Sequence, residues 1–141
     1  MWSDQEIGFW KEYLQAYHGL DGELERLDGE FDLNIAVRVD GRIDAVLKVM
    51  RVGCGSGLVR MQVEALDHLA ATMPDLPVPR VIRRHDGAAA AAVTDLSGDE
   101  RIAWVISAID GLPLGAMRPH PAALVHEIGH TLGRMTAGLE G

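Results

Sequence analysis

Hydrophobic positions recur along the chain with two different periods, and the switches between them divide it into elements. Ile7, Trp10, Leu14 and Tyr17 repeat at three- and four-residue steps, which predicts an amphipathic helix with those side chains on one face. Ser3 followed by Glu6 has the spacing of a capping box, so the helix should open at Ser3, run to about His18 and end at Gly19 and Gly22. Residues 24–27 form a short strand candidate before a turn at Asp28-Gly29. Over residues 33–39 the period drops to two, placing Leu33, Ile35, Val37 and Val39 on a common face. Asp40-Gly41 is a hairpin turn signal that sends the chain back through residues 43–50.

Beyond a glycine-rich connector at residues 51–57, the helical period returns over residues 59–73, with Val59, Val63, Leu66, Leu69, Ala70 and Met73 on one face. On a helical wheel Gln62 joins that side, whereas Glu64 falls opposite with Asp67 and His68. Pro74, Pro77 and Pro79 end the helix and lead into a strand at Val81-Ile82. Residues 88–93, nearly all alanine, lie between turn signals at His85-Asp86-Gly87 and at residues 96–99; that interval is short for a helix and reads as a strand buried on both faces. Residues 102–109 read as a further buried strand. After Pro119-His120-Pro121 comes a last helix, to about Ala137, with Leu124, Ile128, Leu132, Met135 and Leu139 as its apolar stripe. Helix, strands, helix, strands and helix in this order predict an antiparallel α+β domain.

Composition narrows the function classes. A chain of 141 residues, 48% apolar, is enough for one core of ordinary size. Its 13 basic and 21 acidic residues give a net charge of −8, which argues against nonspecific nucleic-acid binding. Cys54 is the only cysteine, so no internal disulfide can form. The acidic start and the lack of any apolar run of about 20 residues predict neither a signal segment nor a membrane span, and a cytoplasmic protein is expected.

Lys48 stands alone among Ala45, Val46, Leu47, Val49 and Met50. A buried ammonium needs a partner or an anionic ligand. Either Lys48 snorkels to water from an edge strand, or it meets a nucleotide phosphate behind the hairpin. The other conspicuous motif is His126-Glu127-Ile128-Gly129-His130. It could supply two zinc ligands, His126 and His130, with Glu127 as the base of a hydrolase. Thr136 stands where the longer zinc motif needs its third ligand, and both histidines lie opposite the apolar stripe, where a solvated helix face would place them anyway. Gly53-Cys54-Gly55-Ser56-Gly57 lacks the Gly-Lys-Ser/Thr of a phosphate loop and reads as a linker, with Cys54 an incidental thiol.

Taken together, several stretches resemble the N-terminal lobe of the aminoglycoside phosphotransferase and choline kinase-like family, which has a protein-kinase-like fold. Gly29-Glu30-Phe31-Asp32-Leu33-Asn34 resembles the loop between the first two strands, and Val46-Leu47-Lys48-Val49 the third-strand motif. Gln62 with Ala65, Leu66, His68 and Leu69 resembles the following helix. Leu76-Pro77-Val78-Pro79-Arg80-Val81 is similar to the approach to the fourth strand, and Ile109-Asp110-Gly111-Leu112-Pro113-Leu114 to the hinge and its following turn. Ile128-Gly129, Leu132-Gly133 and Leu139 resemble the first helix of the C-terminal lobe, which absorbs the His-Glu-x-x-His stretch.

The resemblance implies an N-terminal helix over residues 1–19, a lobe with a five-stranded sheet and packed helix over residues 20–111, and a linker with the first C-lobe helix over residues 112–141. It implies ATP and magnesium as cofactors and a small-molecule acceptor, an amine- or amino-acid-like hydroxyl. Lys48 would contact the α/β-phosphates, Glu30, Asp32 and Asn34 would cover them, and Ser107 and Ile109 would border the adenine. The Gln62-containing helix and the Pro-Val-Pro-Arg stretch look most like the hydroxylysine kinase-like branch, whose members also occur fused to class III, PLP-dependent aminotransferases. A noncatalytic module attached to such an enzyme domain is therefore the alternative. Two departures stand out. Gln62 occupies the place of the glutamate that commonly pairs with the strand lysine, and could reach Lys48 only through a neutral carbonyl. The catalytic loop and the metal-binding aspartate have no counterpart up to Gly141, so residues 1–141 by themselves are expected to bind nucleotide weakly and turn over nothing.

Overall fold

The structure, a computed structural model, describes residues 2–140. Met1 and Gly141, the outer limits of the expected domains, lie outside the described residues. Helix α1 (Asp4–His18) opens as expected. The Glu6 N–H donates to Ser3 Oγ (3.2 Å) and the Ser3 N–H to Glu6 Oε2 (3.0 Å), so the box satisfies two helix-end donors reciprocally. Gly19 closes the helix in the left-handed region at φ 65°. The buried face is rotated from the expected one: Trp10, Tyr13, Leu14 and His18 are buried, whereas Tyr17 is exposed. Tyr17 instead carries the Arg84 guanidinium over its ring at 4.1 Å, and Arg84 Nη1 donates to the Tyr13 hydroxyl at 3.2 Å. The two tyrosines thus divide their roles: Tyr13 joins the core, and Tyr17 carries the basic loop at the end of α1.

Six strands follow: β1 (Glu23–Leu27), β2 (Leu33–Val39), β3 (Arg42–Val49), β4 (Val81–Ile82), β5 (Ala90–Thr94) and β6 (Glu100–Ser107). All pairings are antiparallel, in the order β1-β2-β3-β6-β4, with β5 also on β6. Ile82 pairs with Val105 and Ala90 with the next β6 residue, Trp104, so β4 and β5 lie in line along one edge. Six segments therefore fill the five expected strand positions, with residues 83–89 looped out between β4 and β5. Asp40 and Gly41 have φ of 51° and 79°, the paired positive angles that match a two-residue hairpin turn to strand twist. The register shifts between Val37 and Arg38, leaving Asp44 unpaired in β3 as a bulge. The alanine segment β5 is half-buried rather than buried on both faces, because it is an edge strand paired to β6 alone. The double burial expected of the last strand holds for Ala103, Trp104 and Val105, but the strand ends at Ser107 and leaves Ile109 exposed.

Each face of the sheet meets a different helix. Helix α1 covers the face that carries Ile35, Val37, Ala45, Leu47, Val49, Ala103 and Val105. Helix α2 (Ser56–Thr72) covers part of the other, with Val59 and Val63 against Trp104 and Met50. It begins three residues before the apolar pattern does, because Ser56 and Gly57 complete a first turn that buries nothing. A 3₁₀ turn (Leu114–Ala116) precedes α3 (Ala122–Glu140), which extends past Ala137 and has no buried residue. No helix among the described residues is long and apolar enough to cross a membrane.

Candidate functional site

Directly paired residues of antiparallel strands project from the same face. The rows Leu27–Asn34–Lys48–Trp104 and Glu25–Ala36–Val46–Ile106 therefore belong to the α2 side of the sheet. Helix α2 packs at the β6, β4 and β5 end of these rows, against Trp104, Ile102, Ile106, Val81 and Ala90. Leu27, Ala36 and Val46 belong to neither hydrophobic cluster. Leu27 and Val46 are half-buried there, and Ala36 between them is fully buried, on the part of this face that α2 leaves aside.

Lys48 Nζ donates to Asn34 Oδ1 at 3.0 Å, across the β2–β3 pair. The sequence allows Gln62 to reach the ammonium through its carbonyl; Gln62 lies on the half-buried side of α2, as the wheel predicts, and the hydrogen bond of Lys48 goes to the neighbouring strand. The β1–β2 loop is tied to the same place. Asp32 Oδ1 accepts from the Arg51 N–H at 2.8 Å, which joins the loop to the end of β3. A Cβ at Gly29 would sit 2.5 Å from the Asp32 carbonyl and 2.8 Å from Asn34 Nδ2, so the close turn at this point requires glycine. Glu30 and Phe31 at the tip are exposed, Phe31 at 68%.

At the other end of β6, Ser107 is held by the chain leading into β4. Its N–H donates to the Arg80 carbonyl, and its hydroxyl accepts from the Arg80 N–H, both at 2.8 Å. The Ala108 N–H donates to the carbonyl of the bulge residue Asp44 at 3.3 Å. Asp110 pairs with Arg42. The bulge thus anchors the segment that leads out of the sheet, and Ile109 is left exposed beside it. The structure brings Asn34 and Lys48 together and fastens Asp32 to the Arg51 backbone just after β3. It places Ser107 and Ile109 apart, at the far end of the strands.

His126, Glu127 and His130 are exposed on α3. Among the described residues no group of three or more His, Cys, Asp or Glu side chains is poised to hold a metal ion.

Sequence reasoning overlooked Leu27, Ala36 and Val46 beside Lys48. Val46 was reachable, since it lies two residues before Lys48 and shares its face. Ala36 and Leu27 were not, because their side depends on a register that only the paired strands reveal.

An antiparallel sheet with one helix packed on part of a face, and a lysine on the third strand beside the part that the helix leaves aside, is the N-terminal lobe of a kinase-like fold. The amicoumacin kinase hAmiN, solved in complex with AMP-PNP, Ca2+ and Ami, has this fold: it superposes with a TM-score of 0.70 at 15% sequence identity, over 96% of this chain and 40% of that one. The chain thus spans about two fifths of that kinase's length. No family model matches the chain, and no curated protein matches it either.

Proposed function

We propose that the chain is the ATP-binding part of a small-molecule phosphotransferase, acting on a hydroxyl of an amine- or amino-acid-like acceptor in the cytoplasm. The observation that carries this reading is the fixed ammonium of Lys48 on the third strand of a kinase-like lobe, on the α2 side of the sheet. Leu27 and Val46, both half-buried, offer the adenine apolar surface, and the backbone of residues 107–109 borders it. Lys48 presents positive charge to the phosphates from a strand, a rigid base. ATP supplies the phosphoryl group. Magnesium and the group that orients the acceptor would be held by a C-terminal lobe, in keeping with the two fifths of the neighbour that this chain matches. Titration of the protein with AMP-PNP tests the reading. Saturable binding, weakened at least about tenfold by Lys48→Ala, is expected; equal binding by wild type and variant would overturn it.

One observation favours a second reading, a noncatalytic kinase-like module attached to another enzyme. Asp28, Glu30 and Asp32 put three carboxylates on the loop that should cover the phosphates. Like charges there oppose a triphosphate. On this reading, Lys48→Ala in the full-length protein leaves the activity of the attached enzyme unchanged.

A further inference from the structure

We propose that Asn34 is the positioning residue for Lys48, so that the phosphate-facing lysine is set by the neighbouring strand and not by helix α2. The inference rests on the nucleotide reading above and adds to it what holds the lysine. A lysine ammonium can only donate, so its partner at 3.0 Å must be the amide oxygen of Asn34, which directs the amide nitrogen away from Lys48. That nitrogen lies over Gly29, where a Cβ would come within 2.8 Å of it. Asn34, Gly29, Asp32 and Arg51 therefore lock loop, strand β2 and the end of β3 into one unit around Lys48.

Two consequences follow from the chemistry of the partner. A carbonyl oxygen orients the ammonium without neutralising it, so the full positive charge remains available to an anion. A carboxylate in the same place would cancel much of that charge. Because both residues sit in directly paired positions of adjacent strands, their separation does not change when α2 moves. Helix α2 has no acidic side chain turned toward the sheet to compete: Glu64 is exposed, and Asp67 is engaged by Arg83. The lobe therefore carries its phosphate lysine already assembled, with no helix movement needed to complete it.

Four variants of the full-length protein test this: Asn34→Ala, Asn34→Asp, Gln62→Ala and Lys48→Ala. All four are measured for AMP-PNP affinity, and the three that retain Lys48 also for the pH profile of its acylation by acetic anhydride, resolved by mass spectrometry. Asn34→Ala should weaken AMP-PNP by about tenfold and shift the acylation profile, whereas Gln62→Ala should change affinity by less than about twofold and leave the profile in place. Asn34→Asp, which keeps an acceptor oxygen, should retain the clamp and move the profile to higher pH through its charge. The profile separates positioning from stability, since a purely structural role would lower the melting temperature without moving it. If Asn34→Ala does not fold, Asn34→Thr removes the reach to Lys48 while favouring a strand. The proposal is overturned if Gln62→Ala matches the effect of Asn34→Ala, or if Asn34→Ala alters neither measurement. Absence of AMP-PNP binding to the wild-type protein would instead overturn the nucleotide reading, and the acylation profile would still decide whether Asn34 holds the lysine.

Discussion

Gly138 of α3 lies against Met73 at the end of α2, so close that a Cβ on the glycine would collide with the methionine sulfur and come within 2.9 Å of Leu69 Cδ2. His68 Nε2 meets the Gly138 carbonyl at 2.9 Å, and Arg134 reaches Asp75 at 2.7 Å, holding that carboxyl below its usual range. The junction between the lobe and its last helix thus includes one close glycine contact and two polar contacts. Gly138→Ala should cost about 1–3 kcal/mol at this junction, since Met73 can swing aside but the buried Leu69 has less room. Hydrogen exchange would show lost protection in α3 with the sheet amides unchanged; equal protection throughout would count against the close contact.

A second prediction concerns His18. Its ring is buried at the end of α1, and neither nitrogen has a well-formed hydrogen bond. Burial lowers its pKa from 6.5; the Arg83 backbone offsets this in part, Arg84 and His85 add to the lowering, and Asp86 opposes it. The folded state therefore prefers the neutral ring. Below pH 6.5 the unfolded chain binds the proton first, so the stabilisation is complete above that pH and is lost as pH falls through the lowered folded value. The carboxylates with lowered values, Glu6, Asp75 and Asp86, start from 4.5 and 3.8, so they respond in a more acidic range. Melting temperature should fall between pH 6.5 and 4.5 in the wild type and stay level in His18→Leu; parallel curves would remove His18 as the cause.

Gly29→Ala offers a third test. Its Cβ would lie 2.5 Å from the Asp32 carbonyl, which is backbone and cannot rotate away. The loop must shift, carrying Asp32 off the Arg51 N–H. The cost should be about 1–3 kcal/mol, the penalty range for overpacking. Urea denaturation would read this; a change under 0.5 kcal/mol, the usual ceiling for an inconsequential surface substitution, would mean that the turn tolerates a side chain.

Local chemistry was the legible part of this fold. The Ser3–Glu6 box, the Asp40-Gly41 turn and the placement of Gln62 and Glu64 each depend on residues a few positions apart, and all three stand as read. What was not legible depends on register between distant segments. Lys48 meets Asn34 because β2 and β3 pair with a bulge at Asp44, a detail no residue pattern near Lys48 announces. Tyr13 displaces Tyr17 from the core because residues 83–89 loop out beside α1 and bring Arg84 with them. The alanines of β5 read as doubly buried because small apolar side chains suit either a crowded interior or an uncrowded edge.

Two leucines on helical stripes separate a packed face from an unpacked one. Leu14 on α1 is 1% exposed inside the cluster with Ile35, Leu47 and Val105, whereas Leu132 on α3 is 56% exposed and touches no core. Their sequence surroundings are alike, each one turn from other apolar residues, so burial alone distinguishes them. Leu14→Ala removes buried methyl groups and leaves a cavity between helix and sheet, at a cost of about 2–5 kcal/mol. Leu132→Ala removes surface already in water and should stay within about 0.5 kcal/mol. Urea denaturation of residues 1–141 carrying each substitution would measure both. A cost above 1.5 kcal/mol for Leu132→Ala, about three times that ceiling, would mean that α3 buries its stripe against the lobe, contrary to the arrangement described.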